Sequence, residues 1–101
     1  MSQTLHQFLK EKLTWQQGEN LAKLLQLSEN RLTRILRNPE LMRGDELRAL
    51  GRETKLFGYN LFLRFGCGKS AMSYAEIEEL KLEEQRAAVN RQTSIPVENE
   101  E

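Results

Sequence analysis

The sequence predicts an all-α fold, and three observations carry that prediction. Val and Ile are scarce while Leu and Glu are abundant. No stretch alternates apolar and polar residues with period two. Apolar residues recur instead three and four positions apart. At 101 residues, 39% of them hydrophobic, the chain is one small domain with a modest core. The expected architecture is a compact bundle of about five short helices, then an acidic C-terminal helix and a disordered tail.

The first helix is predicted over residues 4–12, TLHQFLKEK. Leu5, Phe8, Leu9 and Lys12 follow i, i+3, i+4, i+7, with the Lys12 stem along the apolar edge and Thr4 as the cap. Thr14 and Gln17 are spaced as a capping box opening the second helix, with Trp15 in the first turn covering the core edge. Gly18 weakens that turn by up to about 1 kcal/mol relative to Ala, so the helix starts either at the Thr14 cap or at Gly18. Leu21, Ala22, Leu24 and Leu25 make its apolar side, and the small Ala22 lets another helix cross closely.

Gln26-Leu27-Ser28 forms a tight turn into the third helix, residues 28–37. Ser28 caps it, Glu29 sits near the positive end of its dipole, and Leu32, Ile35 and Leu36 point inward. Pro39 pushes Asn38 out of helical geometry and ends it. Residues 39–44 form a connector that tucks Leu41 and Met42 inward. A fourth helix follows from Gly44 to Lys55, with Asp45 and Glu46 at its start and Leu47, Leu50 and Leu56 on its buried side.

After Gly58 comes YNLFLRF, residues 59–65, the most apolar stretch of the chain. It reads as a fifth short helix, with a strand as the alternative for so short a run. It completes the core or makes a subunit contact. Gly66-Cys67-Gly68 reads as a flexible hinge. Ser73 and Glu76 then form a capping box for a helix running to about Asn90. That helix is thinly apolar and rich in Glu; it docks on the body, pairs with a copy of itself, or stands in solvent. Residues 91–101, with Pro96, are expected to be disordered. The chain thus divides into 1–66, a hinge and acidic helix at 67–90, and a tail at 91–101.

The formal net charge of zero conceals a split. Residues 1–69 hold twelve Lys/Arg against seven Asp/Glu, a net of +5, and residues 70–101 hold three against eight, a net of −5. A basic body points to a polyanion partner. Cys67 and His6 each stand alone, which leaves no disulfide and no metal-ligand set, and no cofactor is implied. Gly66-Cys67-Gly68-Lys69-Ser70 ends like a phosphate loop, but Leu63 stands where the earlier Gly belongs and no strand precedes it. No nucleophile or general base stands out, so no catalytic residues and no enzyme are expected. Without a signal peptide or a membrane-length apolar run, a cytoplasmic protein is expected.

Spacing at 100° per residue sharpens the third helix. Leu32, Ile35 and Leu36 share one side. Asn30, Arg34 and Arg37 fall opposite, flanked by Thr33 and Glu29. An amide and two guanidiniums suit base edges: Asn pairs with adenine, Arg with guanine, and a Glu accepts from cytosine. Gln17, Lys23, Ser28, Arg31 and Arg43 are candidates for DNA phosphates. Arg31 lies nearest the apolar margin, where an acid of the same chain is its other candidate partner.

Leu21-Ala22, Leu25, Leu27, Ser28, Leu32 and Ile35, followed by Asn38-Pro39-Glu40 and the Asp45-Glu46-Leu47 to Leu50 segment, carry a resemblance over about residues 4–65. The stretch resembles the helix-turn-helix of the phage-repressor-like, or xenobiotic-response-element, family. The resemblance implies a five-helix bundle that binds DNA as a two-fold dimer, with base contacts from Glu29, Asn30, Thr33 and Arg34. Two positions depart from the family's pattern. Gly18 stands where a phosphate-contacting Gln commonly opens the second helix, with Gln17 one residue earlier. Gln26 stands where the turn usually has Gly at positive φ.

The leading expectation is therefore a sequence-specific transcription regulator. It acts as a homodimer held through 59–65 or 73–90, with helix 28–37 in the major groove. The alternative is a non-catalytic interaction module, antitoxin-like or a phage-encoded adaptor, whose acidic C-terminal helix meets a protein partner.

Overall fold

Every regular element among the described residues is helical. The computed structural model describes residues 3–100, with side chains for 3–89. The order is α1 (Leu5–Lys12), α2 (Trp15–Glu19), α3 (Leu21–Leu25), α4 (Glu29–Arg37), a 3-10 turn (Pro39–Leu41), α5 (Gly44–Thr54), α6 (Gly58–Phe65) and α7 (Tyr74–Glu100). The all-α expectation is met, and none of these helices is long and apolar enough to cross a membrane.

Local chemistry sets the boundaries. Both expected capping boxes form. Thr14 Oγ1 accepts from Gln17 N at 3.1 Å while Gln17 Oε1 accepts from Thr14 N at 2.9 Å. Ser73 and Glu76 reciprocate at 3.2 and 3.0 Å. Thr4, read as a simple cap, forms a third box with Gln7. Of the two candidate starts for the second helix, the Thr14 cap is the one that forms. That helix is split into α2 and α3 at Asn20, where φ is −106° and ψ 14°. Asn20 Nδ2 donates to the Gln16 carbonyl that its own backbone N–H also uses, a side-chain competition that bends the helix.

Two sequence expectations fail in this region. Trp15 does not cover the core edge: it is 80% exposed, and α2 buries no residue. Leu13, packed against the core between α1 and α2, takes that place. Leu24 also turns outward, at 41% exposure.

A Cβ on Gly18 would meet nothing within 4 Å. Gly18→Ala is therefore expected to stabilise the fold by about 0.5–1 kcal/mol through helix propensity alone. Thermal denaturation checks this; an unchanged or lowered midpoint would contradict the open environment.

The turn between α3 and α4 rests on Gln26, which adopts the left-handed conformation at φ 60°, ψ 45°. Leu27 N donates back to the Ala22 carbonyl at 2.8 Å and Gln26 N to Lys23 at 3.0 Å, a Schellman-type closure. Ser28 Oγ then accepts from Arg31 N at 3.1 Å and starts α4, whose Leu32 and Ile35 enter the core. Asn38 leaves helical geometry before Pro39, as expected.

The core is built from Leu5, Phe8 and Leu9 of α1, Leu21, Ala22 and Leu25 of α3, Leu32 and Ile35 of α4, and Leu47 and Leu50 of α5. Met42, Leu61, Cys67, Met72 and Leu80 complete it. Residues 58–65 are helical rather than a strand. Leu61 is the buried residue of α6, while Tyr59, Phe62 and Phe65 pack partly against the core and Leu63 faces solvent.

The segment after α6 is no hinge in the sense expected. Gly66 and Gly68 take positive φ, but Gly68 N donates to Pro39 O at 2.8 Å and Ser70 N to Glu40 O at 2.9 Å. These bonds stitch the segment to the 3-10 turn. Cys67 is fully buried between the glycines, and burial pushes its thiol up to about 12, so it stays a neutral core residue.

The acidic helix docks on the body. Leu80 is 1% exposed, and a Cβ on Gly58 would lie only 3.1 Å from it. The α7 backbone runs on to Glu100, past the expected end near Asn90. The expectation of a disordered 91–101 concerns a stretch whose side chains lie outside the described residues.

Candidate nucleic-acid interface

Because Leu32 and Ile35 are anchored in the core, the opposite side of α4 is forced outward. Glu29, Asn30, Thr33, Arg34 and Arg37 are all exposed. The five residues expected to face bases therefore share one accessible helix face. Ser28 and Lys23 are exposed beside it. Ser28 Oγ accepts the Arg31 amide, which leaves its hydroxyl hydrogen free to donate. Gln17 spends its carbonyl on the Thr14 cap and keeps its amide NH2 for donation.

Arg31 is the exception among the phosphate candidates. Its Nε donates to Glu46 Oε2 at 2.9 Å and its Nη2 to Glu46 Oε1 at 2.8 Å. Nη2 also donates to the Leu41 carbonyl at 3.0 Å. Of its two candidate partners, the acid of the same chain is the one present. The reason is position: Arg31 lies on the core margin of α4, where Glu46, 4% exposed, reaches it from α5. Arg31 therefore acts as a brace between α4 and α5. The Glu46 carboxyl is pushed up by burial but pulled down further by its bonds from Arg31 and from the Arg43 amide, so it lies below its ordinary value.

Each flank of α4 borders a depression. On one side a cleft of about 660 Å³ is lined by Arg31, Arg34, Leu41, Arg43, Gly44, Asp45, Arg48, Ala71 and Glu76. On the other a smaller hollow of about 300 Å³ is lined by His6, Thr33, Leu36 and Arg37. It adjoins a groove of about 520 Å³ to which His6, Arg37 and Arg64 contribute. The Arg64 guanidinium lies 4.7 Å from the centre of the Phe8 ring and 5.3 Å from that of Phe65, a cation–π seat. Arg43 and Arg48 thus lie on one flank of α4, beside Asp45 and Glu76, and Arg37 and Arg64 on the other.

His6, Arg48 and Arg64 were not legible as site residues in the sequence. They come from α1, α5 and α6, and no local spacing ties them to α4. For Arg64 the one signal was a cation inside an apolar run. Gln26 adopts a positive φ at the turn before α4, and Gly18 lies inside α2 rather than at its start.

No family model, no curated protein and no solved structure matches the chain.

Proposed function

We propose that this protein binds double-stranded DNA in a sequence-specific manner, as a homodimeric transcription regulator, with α4 in the major groove. The observation that carries the proposal is the division of α4. One face is locked into the core by Leu32 and Ile35, and the other presents Asn30, Thr33, Arg34 and Arg37 to solvent between two arginine-bearing depressions. Asn30, Arg34 and Arg37 supply base-edge donors and acceptors, while Lys23, Arg43 and Gln17 supply phosphate contacts. A two-fold dimer would set two α4 helices about one turn of DNA apart. The exposed Leu63 on α6 and Leu82 on α7 lie within the two stretches proposed to hold it.

Selection of bound sequences from a random duplex pool tests the proposal. Enrichment of a paired half-site is the expected result, and a pool that enriches nothing would overturn it. On the selected site, Arg34→Ala should weaken binding about tenfold to a hundredfold and relax one base preference. Lys23→Ala should weaken all sequences alike. An Arg34→Ala protein that binds its site unchanged would remove the assigned face.

A second reading is favoured by the run of α7 beyond Leu80, where Leu82 is exposed beside Glu83 and Glu84. In that reading α7 meets a protein partner and the α4 face is incidental. Such a protein shows little affinity for mixed duplex DNA and no steep dependence on salt.

A further inference from the structure

The larger cleft beside α4 holds carboxylates as well as arginines. A Cβ on Gly44 would lie 3.4 Å from Glu76 Oε2 and 3.3 Å from Arg48 Nη1. The Glu76 carboxylate therefore rests over the N-terminal end of α5, beside Arg48. Further along α7, Glu83 takes Arg48 in a forked pair, with Nη2 at 2.7 Å and Nε at 3.1 Å from Oε2. A backbone phosphate reaching Arg43 and Arg48 would meet these two acids in the seat it needs. Their stretch of α7 stays beside the cleft, because Leu80, between them, is buried in the core. The Arg48–Glu83 pair itself is open to solvent, each side chain 37% exposed, so a phosphate can compete for Arg48 without breaking a buried bond.

We propose that Glu76 and Glu83 form a fixed acidic brake on the polyanion surface, an inference that rests on α4 being the DNA-reading face. Duplex phosphates approaching the α5 side of α4 are repelled by Glu76 and must exchange with Glu83 for Arg48. The brake lowers sequence-independent affinity and leaves discrimination to the α4 side chains.

The test is fluorescence anisotropy of a mixed-sequence duplex over a salt series, repeated with inorganic polyphosphate. It compares the intact chain, Glu76→Gln with Glu83→Gln, and a control with the same change in charge away from the cleft, Glu11→Gln with Glu53→Gln. Gln at position 76 keeps an oxygen for the Ser73 N–H, so the α7 cap survives. The brake variant should bind duplex about tenfold more tightly at low salt than the control, with a log–log salt slope steeper by about 1–2 as one or two more phosphates are engaged. Duplex binding with equal gains in brake and control variants overturns the brake and keeps the DNA reading. A selective gain for polyphosphate, with no duplex binding by any protein, keeps the brake and removes the DNA reading. No binding of either polyanion removes both.

Discussion

Glu46→Ala is expected to destabilise the protein by about 3 kcal/mol, because it breaks a largely buried ion pair and strands its partner. Glu46 is 4% exposed and accepts from Arg31 Nε, Arg31 Nη2 and the Arg43 amide at 2.8–2.9 Å. Its removal leaves the Arg31 guanidinium 23% exposed with only the Leu41 carbonyl as partner, and frees the joint between α4 and α5. Denaturant unfolding measures the loss; a change under about 1 kcal/mol would show that the pair is incidental. The same site sets a pH dependence. Because the folded carboxyl lies below its ordinary value of 4.5, its stabilisation is fully present above that value and is lost as pH falls through the folded one. Glu46→Gln should remove this component of acid sensitivity, and an unaltered acid limb in that variant would contradict the assignment.

Gly51→Ala should destabilise by about 2 kcal/mol, although helix propensity alone would favour Ala by about 1 kcal/mol. Gly51 is buried in α5, and Leu56 N folds back to donate to its carbonyl at 2.9 Å after Lys55 turns left-handed at φ 62°. A Cβ there would stand 2.5 Å from the Leu56 carbonyl oxygen, a backbone atom that cannot step aside. Calorimetry on Gly18→Ala and Gly51→Ala together isolates the point. Two glycines inside helices should shift the midpoint in opposite directions, and a shared direction would mean that the α5–α6 turn yields.

The contrast marks where sequence reasoning holds. The inward spacing of Leu32 and Ile35, the caps at Thr14, Ser28 and Ser73, and the stop at Asn38-Pro39 are properties of a few neighbouring residues, so they were readable. Because the inward stripe of α4 was readable, so was its outward face. Contacts between distant segments were not. Arg31 meets Glu46 across a separation of 15 residues and Arg48 meets Glu83 across 35. Gly51 looks like any helical glycine until the turn closes over it. Trp15 stands in the first turn of α2 yet faces solvent, because Leu13 packs against the core beside it.

The stitched segment after α6 also bears on how the chain is made. Cys67, Met72 and Leu80 are core residues, yet they are supplied after everything else in the core has been synthesised. In the folded chain Leu80 and Leu47 meet at Gly58, and Met72 meets the Met42 carbonyl at Gly68, so residues up to Phe65 leave this side of the core uncovered. Domains close as units during vectorial synthesis. The basic body and its acidic helix therefore share one core, and neither part completes it alone.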